Sequence, residues 1–143
     1  MYRDTSMNSV PPIPVLHHLA LGAIDVARVA GFYSDNFGLP EVSRNLDETG
    51  ELRAIWLRLG DSILMVERTT RRRRPVDGVD AGLFLLALRV DTVQRIEVER
   101  RLSELGCPVE SRTEHSSYFR DPEGNRFAIS HYPIDALRAE REG

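Results

Sequence analysis

The spacing of apolar residues changes period several times along this chain, and it does so twice in the same order. From Leu16 a short run, Leu-His-His-Leu-Ala-Leu-Gly-Ala, ends at Asp25. Its length and its bounding Pro14 and Asp25 predict a strand over 16–23. Leu16, His18, Ala20 and Gly22 then share one face, with His17, Leu19, Leu21 and Ala23 on the other. Asp25 is a helix N-cap, Val26, Val29, Ala30, Tyr33 and Phe37 recur at helical spacing, and Gly38 supplies the stop. Gly31 inside that helix costs about 1 kcal/mol relative to alanine, and close packing of the helix on the sheet is the expected reason for it. Strands follow over 40–45, 52–59 and 63–67, the last two joined by the tight-turn dipeptide Gly60-Asp61. Within 52–59, Ile55, Leu57 and Leu59 oppose Ala54, Trp56 and Arg58.

The order then repeats. From Leu83 the chain reads Leu-Phe-Leu-Leu-Ala-Leu-Arg-Val-Asp, with Phe84, Leu86, Leu88 and Val90 opposite Leu83, Leu85, Ala87 and Arg89. Asp91 with Gln94 is a capping-box pattern, and Val93, Ile96, Leu102 and Leu105 are the expected apolar stripe of a helix ending at Gly106. Strands over 108–113, 116–119 and 126–131 complete the half, with a turn at 121–124. Asp25 and Asp91 lie 66 positions apart, while Gly38 and Gly106, like Pro40 and Pro108, lie 68 apart. Such an internal repeat dictates architecture before any single motif does.

The expected fold is α+β: two βαβββ modules forming a cupped mixed β-sheet, with the helices on the outer face. Module one spans 15–69, a basic linker 70–80, and module two 81–132. Residues 1–14, with Pro11, Pro12 and Pro14, read as a flexible arm and 133–143 as a tail. With 143 residues this is one domain, and the 41% hydrophobic and 29% charged composition is that of a soluble globular protein. A net charge of −3 argues against general affinity for nucleic acid or acidic membranes. One cysteine, Cys107, excludes an internal disulfide and suits the cytoplasm. No apolar stretch reaches the ~20 residues a bilayer span needs.

His18 through Asp25, Phe32-Tyr33 with Phe37-Gly38-Leu39, and Tyr118 through Arg126 together resemble the vicinal oxygen chelate superfamily. That superfamily includes glyoxalase I, extradiol dioxygenases, fosfomycin-resistance thiol transferases, methylmalonyl-CoA epimerase and bleomycin-resistance proteins. The resemblance covers residues 15–132, and the fold hosts several chemistries, so it does not fix the function. In metal-using members a histidine seven residues before the capping aspartate is a ligand, and His18 occupies that place. A glutamate usually follows in the last strand of the first module, and Glu67 occupies that place. Imidazole plus carboxylate suits zinc, iron, manganese or nickel. The second module departs from this pattern, with Leu85 and Ala128 where ligands would stand. Ser130, His131 or His17 would have to complete a coordination shell.

Two readings stay open at this point. In one, the protein is a metal-dependent lyase, isomerase or dioxygenase in which His18 and Glu67 hold the metal and move a proton. In the other it is a metal-free binding protein of the bleomycin-resistance kind. Trp56, Arg58, Met65, Leu85, Tyr118, Arg120 and Ser130 are the candidate substrate-binding residues of the cup, joined by Arg89. Arginine beside aromatics suits a planar or anionic small molecule. The ligand is expected to be small and organic, and the protein a homodimer with the cup at or near the interface. The four arginines at 71–74 read as a solvated linker, the competing reading being a phosphate or nucleic-acid patch.

Overall fold

The computed structural model describes residues 12–134, so most of the expected arm and tail lies outside the described residues. Module one comprises β1 (His18–Ala23), α1 (Val26–Phe37), β2 (Glu41–Leu46), β3 (Leu52–Leu59) and β4 (Ser62–Arg68). Module two comprises β5 (Leu86–Arg89), α2 (Thr92–Glu104), β6 (Ser111–Arg112), β7 (Ser116–Arg120) and β8 (Arg126–Ser130). Each module makes one four-stranded sheet, ordered β1-β4-β3-β2 and β5-β8-β7-β6, so β1 and β5 are both edge strands. Both sheets are mixed: β1–β4 and β5–β8 run parallel, and every other pair is antiparallel.

Local chemistry explains where the helices start and stop. Asp25 accepts a hydrogen bond from Arg28 N at the start of α1, and Gly38 ends that helix in the left-handed region at φ 66°. Asp91 and Gln94 form the reciprocal capping box of α2. Two expectations fail. A Cβ on Gly31 would meet nothing within 4 Å, so close packing is not why glycine stands there. Of the expected stripe Val93, Ile96 and Leu105 are exposed; α2 buries Leu102, as expected, together with Val98. The helix is rotated because its inner face is partly polar: Arg95 is drawn down to the β6–β7 hairpin, carrying Val98 and Leu102 inward with it.

Arg95 donates to Ser117 Oγ at 2.8 Å and to the carbonyls of Thr113, Glu114 and Ser116 at 2.8–2.9 Å. A further contact, at 3.1 Å, goes to His131 Nε2. Guanidinium has donors only, so the imidazole nitrogen is the acceptor in that contact. His131 thus anchors α2 to the end of β8 rather than completing a ligand set.

Both sheets turn their helix-covered faces into a single core. Leu57, Leu64 and Val66 of the first sheet, Phe119, Phe127 and Ile129 of the second, and Val29, Tyr33 and Leu102 of the helices all belong to it. The seam is aromatic: Phe32, Tyr33 and Phe37 of α1 pack against Phe127 of β8 with ring centroids 5.6–5.9 Å apart. Edge-to-face rings at this spacing add to the area they bury. Arg101 of α2 donates to the Asn36 carbonyl near the end of α1, where the helix dipole favours a cation.

One tight turn in module two holds module one in place. The Asp121 carboxylate, 5% exposed, accepts from Glu123 N, Asn125 N and Asn125 Nδ2 at 2.9–3.0 Å. It also accepts from the buried Tyr33 hydroxyl at 2.9 Å. Glu123 reaches the start of α1, where its two carboxylate oxygens accept from Ile24 N at 2.8 Å and Asp25 N at 2.7 Å.

Candidate functional site

Strand alternation leaves each sheet one face turned away from the common core. On the first sheet that face carries His18, Ala20 and Gly22 of β1, Ile63, Met65 and Glu67 of β4, and Ala54, Trp56 and Arg58 of β3, as the pairing registers require. On the second it carries Ala87 and Arg89 of β5, Arg126, Ala128 and Ser130 of β8, and Ser116, Tyr118 and Arg120 of β7. The strand positions expected on the free faces from the sequence pattern fall on that side.

His18 and Glu67 share a face but not a location. In the parallel register His18 lies opposite Ile63, and Glu67 lies opposite Gly22. Four residue steps along a strand separate them, roughly 13 Å at 3.3 Å per residue. To share an ion, side chains that stand off the sheet would have to lean toward each other over nearly their full reach. His18 instead contacts His17, Nδ1 to Nδ1 at 2.9 Å, and its ring lies parallel to Trp56 at 6.4 Å between centroids. Leu85 and Ala128 offer no ligating atom, and His131 is held by Arg95. Among the described residues no group of three or more His, Cys, Asp or Glu side chains could hold a metal ion. Among the described residues the donors of one chain do not gather into such a site.

What the free faces do carry is aromatic, cationic and hydroxyl chemistry. Trp56 has its Nε1 buried with no hydrogen-bond partner, an unmet donor of the kind folded proteins rarely leave. Met65 lies directly beside it across the β3–β4 pair. On the second sheet the Arg126 guanidinium sits 4.6 Å above the Tyr118 ring, a cation–π geometry. Ser116 and Ser130 join their hydroxyls at 2.7 Å across β7–β8.

Arg120 faces the same way but is committed elsewhere. It chelates Glu110 through Nε at 2.9 Å and Nη2 at 3.3 Å, and donates to the carbonyls of Val76 and Gly124. Its role is to strap the linker onto the second module. Arg58 is exposed. Leu85 is set apart from the others, in a crevice bordered by β1 and the linker. Arg126 joins the free face without having been singled out by the sequence reading, although its alternation with Ala128 and Ser130 is the signal that marks it.

Comparison with known proteins agrees with this architecture. A family described as a glyoxalase-like domain matches residues 18–130. Lactoylglutathione lyase from Agrobacterium tumefaciens is 25% identical and superposes with a TM-score of 0.62, over 85% of this chain and 95% of that one. A glyoxalase family protein from Enterococcus faecalis is also 25% identical, with a TM-score of 0.66 over 81% of this chain and 96% of its own. The fosfomycin resistance protein FosX from Listeria monocytogenes shares the fold at 18% identity and a TM-score of 0.72, covering 89% of this chain and 99% of that one. That FosX structure is of a point mutant complexed with Mn(II) and 1S,2S-dihydroxypropylphosphonic acid. No curated protein matches the sequence. Among the described residues no helix is long and apolar enough to cross a membrane.

Proposed function

Because the chain belongs to the glyoxalase-like domain family, within the vicinal oxygen chelate superfamily, we propose that it binds a small organic molecule on the free faces of its sheets without a metal of its own. The observation that carries this reading is the replacement of a ligand set by an aromatic and arginine set. The usual first-module positions are offset by four residues along the strands, while Trp56, Met65, Tyr118 and Arg126 crowd the same faces. Stacking on Trp56 and Tyr118 with a guanidinium alongside suits a planar compound bearing an acceptor or a negative charge.

Neither face makes a closed pocket by itself, since His18, Ala20 and Gly22 on one sheet and Ala87 and Arg89 on the other are exposed. A second copy of the chain, laying its second sheet over the first sheet of its partner, would enclose them. This supports a homodimer in which each cup takes Trp56 from one protomer and Tyr118 from the other.

The test uses the protein purified without an affinity tag. Light scattering should give twice the chain mass. Titration with planar aromatic acids should quench Trp56 fluorescence saturably, and Trp56→Phe or Tyr118→Ala should weaken binding at least tenfold. Elemental analysis should find less than stoichiometric metal. Stoichiometric zinc, nickel, manganese or iron lost on His18→Ala would overturn the metal-free reading and restore the enzyme one.

A further inference from the structure

The basic linker is pinned down, and it forms the wall of a cavity. Thr69 N donates to the Ala23 carbonyl at 2.9 Å, the Arg73 guanidinium donates to the Leu83 carbonyl at 3.3 Å, and Arg120 grips the Val76 carbonyl. Val76 itself is buried. Held this way, residues 71–76 close one side of a cavity of about 510 Å³. Its other sides are the edge strand β1 at 19–22, the approach to β5 at 83–86, and the turn at 123–126.

The charge around this cavity is lopsided. Arg71, Arg72, Arg73, Arg74 and Arg126 all line it, in a chain whose net charge is −3. The one carboxylate among the lining residues is Glu123, and both its oxygens are occupied by backbone N–H groups at the start of α1. Arg126 also borders the cavity, its guanidinium stacked on Tyr118 and its Nε 4.0 Å from Glu110 Oε1. Neighbouring guanidinium groups repel one another, and a bound anion would relieve that repulsion. Beside them Leu83, Phe84 and Leu85 supply an apolar surface.

From this concentration of arginines we propose that the crevice between β1, the linker and β5 is a binding site for a small organic anion. Its phosphate or carboxylate head lies among the linker arginines and Arg126, and its apolar body lies against residues 83–85. The site lies away from Trp56 and Tyr118, although Ala20, Gly22 and Arg126 border both it and the free sheet faces. It gives a function to the arginine run, which as a solvated linker would have none.

Calorimetry of the intact protein in low-salt, phosphate-free buffer tests this with phenyl phosphate, benzoate and phenol. Phenyl phosphate should bind once per chain and more weakly as salt rises. Benzoate should bind less tightly if the head is a dianion, and equally if one negative charge suffices, while phenol should give no saturable heat. The triple variant R71S/R72S/R74S should lose about tenfold or more in affinity with a melting temperature that does not fall, since those three side chains make no hydrogen bond or ion pair within the described residues. Trp56→Ala should leave this binding intact, which separates it from the site on the sheet faces. Phenol binding as well as phenyl phosphate, no binding at millimolar concentration, or an unaffected triple variant would each overturn the proposal. Tighter, arginine-dependent binding of a DNA duplex would also overturn it, by assigning the run to nucleic acid.

Discussion

Removing one oxygen atom, with Tyr33→Phe, tests how the two modules are joined. The Tyr33 hydroxyl is buried and donates to Asp121 Oδ2 at 2.9 Å across the module boundary. A hydrogen bond to a charged group contributes about 1.5–3 kcal/mol. The lower part of that range applies here, because Asp121 keeps Asn125 Nδ2 and two backbone donors and is not orphaned. Unfolding entropy near 2.1 cal/mol/K per residue amounts to roughly 0.3 kcal/mol/K for this chain, so a loss of about 2 kcal/mol lowers the melting temperature by about 6–7 °C. Thermal melts followed by circular dichroism read this directly. A second readout is pH: burial first, and Asp121 next, hold the Tyr33 phenol well above its usual value. A folded value raised this way stabilises the native state fully below pH ~10, and the benefit drains away as pH rises from there toward the folded value. Wild type should therefore lose more stability than Tyr33→Phe above pH ~10. A melting shift under about 2 °C, or a Tyr33→Phe/Asp121→Asn double mutant whose losses simply add, would refute the coupling.

Gly31→Ala should stabilise the protein by about 0.5–1 kcal/mol in urea titrations, because the helix gains propensity and the new methyl meets nothing. Gly38→Ala should do the reverse, since its φ of 66° lies in the left-handed region. Glu99 is held below the usual carboxylate range, first by Arg112 and then by Ser117 and Arg95. A depressed folded value stabilises above the unfolded value and is lost as pH falls below about 4.3. The wild-type urea midpoint should accordingly drop between about pH 5 and 3, and Glu99→Gln should flatten that drop. The Cys107 thiol donates to the Arg120 carbonyl at 3.0 Å, and burial raises its pKa. It should react with a disulfide reagent at about pH 8 far more slowly than a free thiol.

The fold is legible in the sequence because it rests on local rules that repeat. Aspartate before an apolar helix, glycine after it, and alternation in the strands assign the free-face residues to their correct side. Period cannot give register along a strand. His18 and Glu67 pair by family position and common face, and only the β1–β4 alignment reveals the four-residue offset. Nor can period foresee that a charged residue turns α2. The apolar stripe through Val93 and Ile96 loses to Arg95, whose guanidinium finds its acceptors around the β6–β7 hairpin. The acidic turn at 121–125 reads as a hairpin closure in sequence. Its longer-range role depends on Tyr33 and on the start of α1, which lie 88 and 98–99 residues away in the chain.

The two carboxylates of that turn have a consequence for how the molecule comes apart. Each half of the duplication could be expected to melt on its own, as sequence repeats often do. Here the approach to the first helix and its central tyrosine are both completed by atoms from the far half. Amide protons in α1 and in β8 should therefore exchange with solvent through one shared opening, at a common free energy. A single module released from its twin would hand the two amides ahead of its helix to water and bare an aromatic flank.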